Sequence, residues 1–81
     1  MDVRFLLPAE VEMLDAAIFY DQQVTNLGAN FLSVIENAIG ELREHPQAWP
    51  DIGEGVRKRP VRRFPYSVLY QIDGNEIISS R

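Results

Sequence analysis

The stretch VRKRPVRRFPYSVLYQI, residues 56–72, joins a cationic cluster to an aromatic strand. Its first half holds five cations within seven residues: Arg57, Lys58, Arg59, Arg62 and Arg63. In its second half Tyr66, Val68, Tyr70 and Ile72 alternate with other side chains. A period of two predicts a strand with one buried face. We therefore expect both tyrosines to be core residues, because aromatic pairs at this spacing usually pack.

Further strands are predicted on both sides of this stretch. Asp73-Gly74-Asn75 is a hairpin turn, and residues 76–80 start another strand. The short last strand predicts pairing with another chain at its free edge. Near the N-terminus, VRFLL at residues 3–7 predicts one more strand.

Two helices are predicted between these strands. The first runs from Pro8 to about residue 24, with an apolar stripe of Val11, Leu14, Ala17 and Ile18. The second starts at about residue 29, and its buried stripe is Phe31, Val34, Ile35, Ala38 and Leu42. Gly40 lies inside the second helix, which suggests a close approach to the first helix.

The segment at residues 45–55 is predicted to be a loop that Trp49 anchors in the core, because it holds two prolines and two glycines. The complete order is β-α-α-β-β-β. It predicts a single α+β domain over residues 1–81, with a helical hairpin packed on a largely antiparallel sheet.

Composition restricts the classes of protein and site. The chain of 81 residues contains no cysteine, which excludes disulfides and thiolate metal sites. Neither a secretory signal nor an apolar stretch long enough to span a membrane is evident, so we expect a cytoplasmic protein without membrane contact. The net charge is −4, but two cations and ten acids give −8 over residues 1–54, whereas six cations and two acids give +4 over residues 55–81. The basic end could meet an acidic partner.

The order of elements resembles the RelE/ParE superfamily of toxins, the plasmid-stabilisation type of type II toxin–antitoxin modules. The resemblance rests on FYDQQVTNLGANFLSVIENAI, the HPQAWP loop and above all RRFPY followed by VLY, at residues 62–66 and 68–70. It covers nearly the whole chain. It implies a small toxin that a cognate antitoxin protein neutralises by wrapping around it.

Members of the superfamily differ in their target. RelE-like toxins cut mRNA in the ribosome, and ParE-like toxins poison DNA gyrase. Lys58 matches one strand-borne cation of the ribonucleases, but Ser67 replaces an arginine that follows the tyrosine in well-studied members. Relatives usually continue past the last strand into a basic and aromatic tail, which this chain is expected to lack. The resemblance therefore favours ParE-like action over mRNA cleavage; a truncated, non-toxic homologue that only binds antitoxin is a further alternative.

The cationic cluster is the predicted site. Metal-free RNA cleavage needs a base, an acid and cations that stabilise the phosphorane, and the cluster supplies only the cations. We assign charge stabilisation to Lys58, Arg62 and Arg63, and partner binding to Arg57, Arg59 and Arg81. The alternative is that the cations protect a strand edge, since Pro60 indicates an edge strand or a bulge; whether the chain is an enzyme stays open.

Other polar residues offer weaker candidates. His45 is predicted to lie at the C-terminal end of the second helix, where it complements the helix dipole rather than acting in catalysis. Pairs such as Glu41 and Glu44 are interpreted as solvated helix surface. A single histidine makes a zinc site improbable, and we expect neither a metal nor a cofactor.

Overall fold

The computed structural model describes residues 1–80. Its elements are β1 (Asp2–Phe5), α1 (Leu7–Gln23), α2 (Leu27–Glu44), β2 (Asp51–Gly53), β3 (Val56–Pro60), β4 (Ser67–Asp73) and β5 (Glu76–Ser79). The order confirms the α+β prediction but adds β2, within the segment expected to be a loop. Three residues, with only one large apolar side chain among them, give no alternating pattern, so sequence periodicity could not reveal this strand.

The five strands form one sheet in the order β1-β5-β4-β3-β2. The β1–β5 pair is parallel, and the other three pairs are antiparallel. The prediction of a free last strand was wrong, because β5 lies between β1 and β4 and both of its edges are paired. Self-association through β5 is therefore excluded, and β1 and β2 form the two edges of the sheet.

The two helices cover one face of the sheet, and α2 provides most of the core. Its predicted stripe is confirmed: Val34 is half-buried, and its other four members are buried. They pack against Val68 and Tyr70 of β4 and Ile77 of β5. Tyr70 is buried as predicted, and Tyr66 packs at the margin of the same cluster, with its ring 5.1 Å from that of Phe31.

The apolar stripe predicted for α1 was wrong except at Ala17, which is buried. A different set of residues faces the core, which we call the inner seam: Ala9, Met13, Ala16 and Tyr20. The exposed apolar residues on the far side form what we call the outer seam: Leu7, Val11, Leu14 and Ile18. Both seams have the spacing 4-3-4, and a shift of two residues turns a helix by about 200°. The sequence pattern therefore fits two opposite orientations of the helix.

The close approach between the helices occurs at Gly28, not at Gly40 as predicted. A Cβ at Gly28 would lie 2.4 Å from the backbone oxygen of Ala17, whereas a Cβ at Gly40 would meet nothing within 4 Å. The amide of Gly28 donates a 3.1 Å hydrogen bond to Oδ1 of Asp21. Only a residue without a side chain fits between the backbones at this crossing.

Candidate functional site

Register on the sheet divides the cationic cluster. Arg57 pairs with Tyr70 and Arg59 pairs with Val68, whereas Lys58 pairs with Leu69. Directly opposite residues share a face of the sheet, so both arginines of β3 lie on the side of the helices and Lys58 lies on the opposite, open face. Lys58 therefore does not share a face of the sheet with Arg57 and Arg59.

Arg57 holds the loop that follows α2. Its Nη1 donates hydrogen bonds to the backbone oxygens of Trp49, at 2.6 Å, and Gln47, at 3.3 Å. The hydroxyl of Tyr70 donates to the backbone oxygen of Pro46 at 2.7 Å. These contacts give Arg57 a structural role, because they satisfy carbonyl groups of an irregular segment.

Arg59 is a largely enclosed cation of the cluster. Its side chain is 12% exposed, and its guanidinium carbon lies 4.7 Å from the centre of the Trp49 ring. Nη2 donates to Oε1 of Glu41 at 3.0 Å, and Nη1 donates to the backbone oxygen of Pro60. Stacking and ion pairing together fix this side chain between β3 and α2. Trp49 is half-buried, so its predicted anchoring role is confirmed and includes the stacked arginine.

Arg62 and Arg63 project from the turn between β3 and β4. Val61 and Phe64 are buried on either side of them, and the backbone of the turn closes through a 3.0 Å hydrogen bond from the Val61 amide to the Tyr66 oxygen. Arg63 has a φ of 71°, in the left-handed region that non-glycine residues seldom adopt. The buried side chains of Val61 and Phe64 thus fix the turn so that Arg62 and Arg63 are exposed to solvent.

A groove of about 510 Å³ lies between this turn and α2. We call it the basic groove, and its lining residues are Val34, Asn37, Ala38, Glu41, Arg59, Arg62 and Arg63. Three guanidinium groups and one carboxylate leave a net charge of +2. This arrangement can bind an anion such as a carboxylate or a phosphate. Sequence reasoning missed the contribution of Asn37 and treated Glu41 as solvated surface, because nothing in a helical pattern shows which strand residue it meets.

Lys58 lines a second groove of about 540 Å³, which shares Arg59 with the basic groove. Its other lining residues are Trp49, Pro50, Ile52 and Pro60. The structure therefore does not bring the three residues predicted to stabilise charge into one groove: Arg62 and Arg63 share the basic groove, and Lys58 lines another. Their predicted catalytic roles stay predictions. Arg81, the remaining predicted binding residue, lies outside the described residues.

The candidate residues Tyr66, Tyr70 and His45 do not line the basic groove. Burial raises the pKa of Tyr66, and the nearby carboxylate of Glu12 raises it further. Burial also raises the pKa of Tyr70, and the positive charges of Arg57 and Arg59 oppose that increase. Both phenols are therefore weaker acids than free tyrosine. His45 is the C-cap residue of α2, which confirms its predicted position, and its backbone amide donates to the backbone oxygen of Glu41 at 2.8 Å. Its predicted interaction with the helix dipole stays a prediction.

The described part of the chain offers neither a cluster of metal ligands nor a membrane-spanning helix. Among residues 1–80 no group of three or more His, Cys, Asp or Glu side chains could hold a metal ion. Neither α1 nor α2 is both long and apolar enough to cross a membrane.

A solved structure described as "Chromosomal ParDE TA system from P. aeruginosa" contains a chain with a similar architecture. The likeness covers 100% of the present chain and 91% of that chain, with a TM-score of 0.63 and 24% sequence identity. The chain has a ParE-like fold. The fold expected from the RRFPY stretch is thereby confirmed. The sequence itself matches no protein-family model and no curated protein.

Proposed function

We propose that the chain is the toxin component of a type II toxin–antitoxin module, with a cytoplasmic, ParE-like action on DNA gyrase and a cognate antitoxin that neutralises it. The observation that carries this proposal is the ParE-like fold, which covers the whole of this chain and 91% of a chain from a ParDE toxin–antitoxin structure. The basic groove supports it as well. An exposed cationic groove on a chain of net charge −4 favours an acidic partner at that place.

Arg62 and Arg63 are the proposed contact residues. Both are exposed, and no ion pair within residues 1–80 involves either of them, whereas Arg59 is already paired with Glu41. Their guanidinium groups can form bidentate hydrogen bonds with carboxylates of an antitoxin or with anionic groups of the target. Arg59 acts mainly as a support that holds the wall of the groove.

Inducible expression without antitoxin tests the proposal. We expect growth arrest, and we expect the purified chain to inhibit DNA supercoiling by gyrase. Arg62→Ala with Arg63→Ala should weaken both effects by about tenfold or more, as expected when two charged contacts are lost. The matched control is Arg4→Ala with Arg43→Ala, which removes the same charge from exposed residues that do not line the basic groove. An equal loss in both double variants would contradict the assigned site.

A RelE-like ribosome-dependent mRNA endoribonuclease is the second candidate, because Lys58 is exposed on the open face of the sheet. Its weakness is the surroundings of the tyrosines: Tyr70 faces the helices, and Tyr66 packs on Phe31. Cleavage of mRNA in a purified translation system, abolished by Lys58→Ala, would establish this candidate and contradict the gyrase proposal. Normal growth together with antitoxin binding would instead indicate the non-toxic homologue.

A further inference from the structure

The outer seam of α1 is a row of apolar residues that the described part of the fold leaves exposed. Leu7 is 70% exposed, Val11 48%, Leu14 45% and Ile18 57%. Placed on an ideal helix, the four side chains fall within an arc of about 60°. Soluble proteins seldom expose a continuous apolar row of this kind unless it binds something.

The seam continues into a groove between the two helices. Leu14 and Ile18 line this groove together with Leu32 of α2, and its other lining residues include Ala17, Gly28 and Ala29. Its volume is about 320 Å³. The tight crossing at Gly28 fixes the two walls relative to each other, so the groove is present before any partner binds.

The spacing of the seam indicates a helical occupant. Intervals of 4, 3 and 4 residues are the a/d pattern of a coiled coil, in which each apolar side chain fits between four residues of a facing helix. From Leu7 to Ile18 the seam is about 16 Å long, which corresponds to about three turns of a partner helix.

Charge decides what kind of helix fits. The α1 sequence LPAEVEMLDAAIFYDQQ contains four acids and neither lysine nor arginine. Glu10 and Asp15 border the outer seam on its two sides, at positions that correspond to g and e of a heptad. Asp21 lines the groove beyond Ile18. A second copy of α1 would place acids against acids, which is unfavourable, whereas lysine or arginine beside a partner's apolar stripe would be attracted.

We propose that the outer seam of α1 docks an amphipathic helix of another protein, whose apolar stripe is flanked by lysine and arginine. This surface is distinct from the basic groove, which attracts acidic groups. The inference depends only on α1 and its junction with α2, so it holds whether or not the chain is a toxin.

Two synthetic helical peptides of about 20 residues test the inference. Both carry leucine at a and d; one carries lysine at e and g, and the other carries glutamate there. Fluorescence anisotropy with the whole chain should show binding of the lysine peptide and at least about tenfold weaker binding of the glutamate peptide. Equal affinity for the two peptides would overturn the proposal.

Location on the chain is tested by substitution of exposed residues, which leaves the core intact. Leu14→Gln with Ile18→Gln should weaken binding of the lysine peptide by about tenfold or more. Ile52→Gln is the matched control, because Ile52 is 56% exposed and lies on β2. A similar loss with Ile52→Gln would show that the peptide binds any exposed apolar residue and would overturn the assigned site.

Reversal of the border charges gives the sharpest test. Glu10→Lys with Asp15→Lys should make the chain prefer the glutamate peptide. Glu44→Lys with Glu54→Lys changes the net charge equally at exposed positions off α1 and should preserve the preference for the lysine peptide. If both variants preferred the glutamate peptide, the preference would depend only on net charge, which would contradict the proposal. A dimer of the unmodified chain in sedimentation that Leu14→Gln abolishes would show that the occupant is a second copy, against the proposal.

Discussion

The inner and outer seams of α1 have the same spacing and opposite surroundings. The inner seam has two alanines among its four members and packs on the core, while the outer seam consists of large aliphatic residues and faces solvent. The periodicity of a helix selects which residues share a face, but it does not select which face is buried. Here the face with the smaller total side-chain volume is the buried one.

Close packing explains this choice. The backbones of α1 and α2 approach so closely at Ala17 and Gly28 that no Cβ fits at position 28. Small residues at positions 9 and 16 similarly allow α1 to lie close to the core. Tyr20 fills the remaining space, with its ring centre 5.1 Å from that of Phe31 and 4.8 Å from that of Phe64. The outer seam would be too bulky for the same place, so its exposure follows from the geometry of the hairpin.

The largest expected difference between the seams is in stability. Tyr20→Ala removes one ring from the aromatic cluster and should lower the free energy of unfolding by about 3 kcal/mol. Ile18→Ala, on the outer seam, should change it by less than about 0.5 kcal/mol. Urea denaturation followed by circular dichroism measures both values. A loss at position 18 as large as the loss at position 20 would mean that the outer seam is also covered in the free chain.

The buried face could be predicted from the sequence where an element carries only one apolar stripe. α2 carries a single apolar stripe, and β4 alternates beside a tight hairpin turn, so their buried faces could be predicted. α1 carries two stripes of equal spacing, and the more hydrophobic stripe is the exposed one. Hydrophobicity alone therefore favours the wrong orientation.

Long-range pairing explains the other differences. The parallel contact of β1 with β5 joins residues from opposite ends of the chain, so no local signal showed that β5 has two partners. The cationic cluster was correctly found as a dense feature. The separation of Lys58 from the two arginines of β3 could have been predicted from the sequence, because alternation along the strand places Lys58 on the other face of the sheet from Arg57 and Arg59. The ion pair between Arg59 and Glu41 could not be predicted from the sequence, since it depends on how α2 lies across the sheet.

Substitution of two glycines of α2 by alanine tests the tight packing beside the inner seam, with a smaller expected change in stability than Tyr20→Ala. Gly28→Ala must separate the backbones of α1 and α2 and should cost about 1–3 kcal/mol. Gly40→Ala meets open space on the same helix and should stabilise the protein by about 1 kcal/mol, because alanine is the better helix former. Thermal denaturation of the two variants decides the matter. Opposite signs are expected, and stabilisation by both substitutions would show that the crossing is looser than the one described.

The smallest expected effect is the change in the free energy of unfolding at alkaline pH that comes from Tyr66, which packs beside the inner seam. Tyr66 lies beside Ala9 and Met13 of the inner seam. Burial, followed by the charge of Glu12, raises its pKa above the usual value of 10.0. Because its folded-state pKa is raised, the group's contribution to stability is complete below pH 10 and is lost as the pH rises through the folded-state pKa. The free energy of unfolding should therefore fall above pH 10, and it should fall less in Tyr66→Phe. Urea titrations at a series of alkaline pH values compare the two proteins, and their difference isolates Tyr66 from the other groups that titrate there. Identical slopes in both proteins would mean that water reaches the inner side of α1 as freely as it reaches the outer seam.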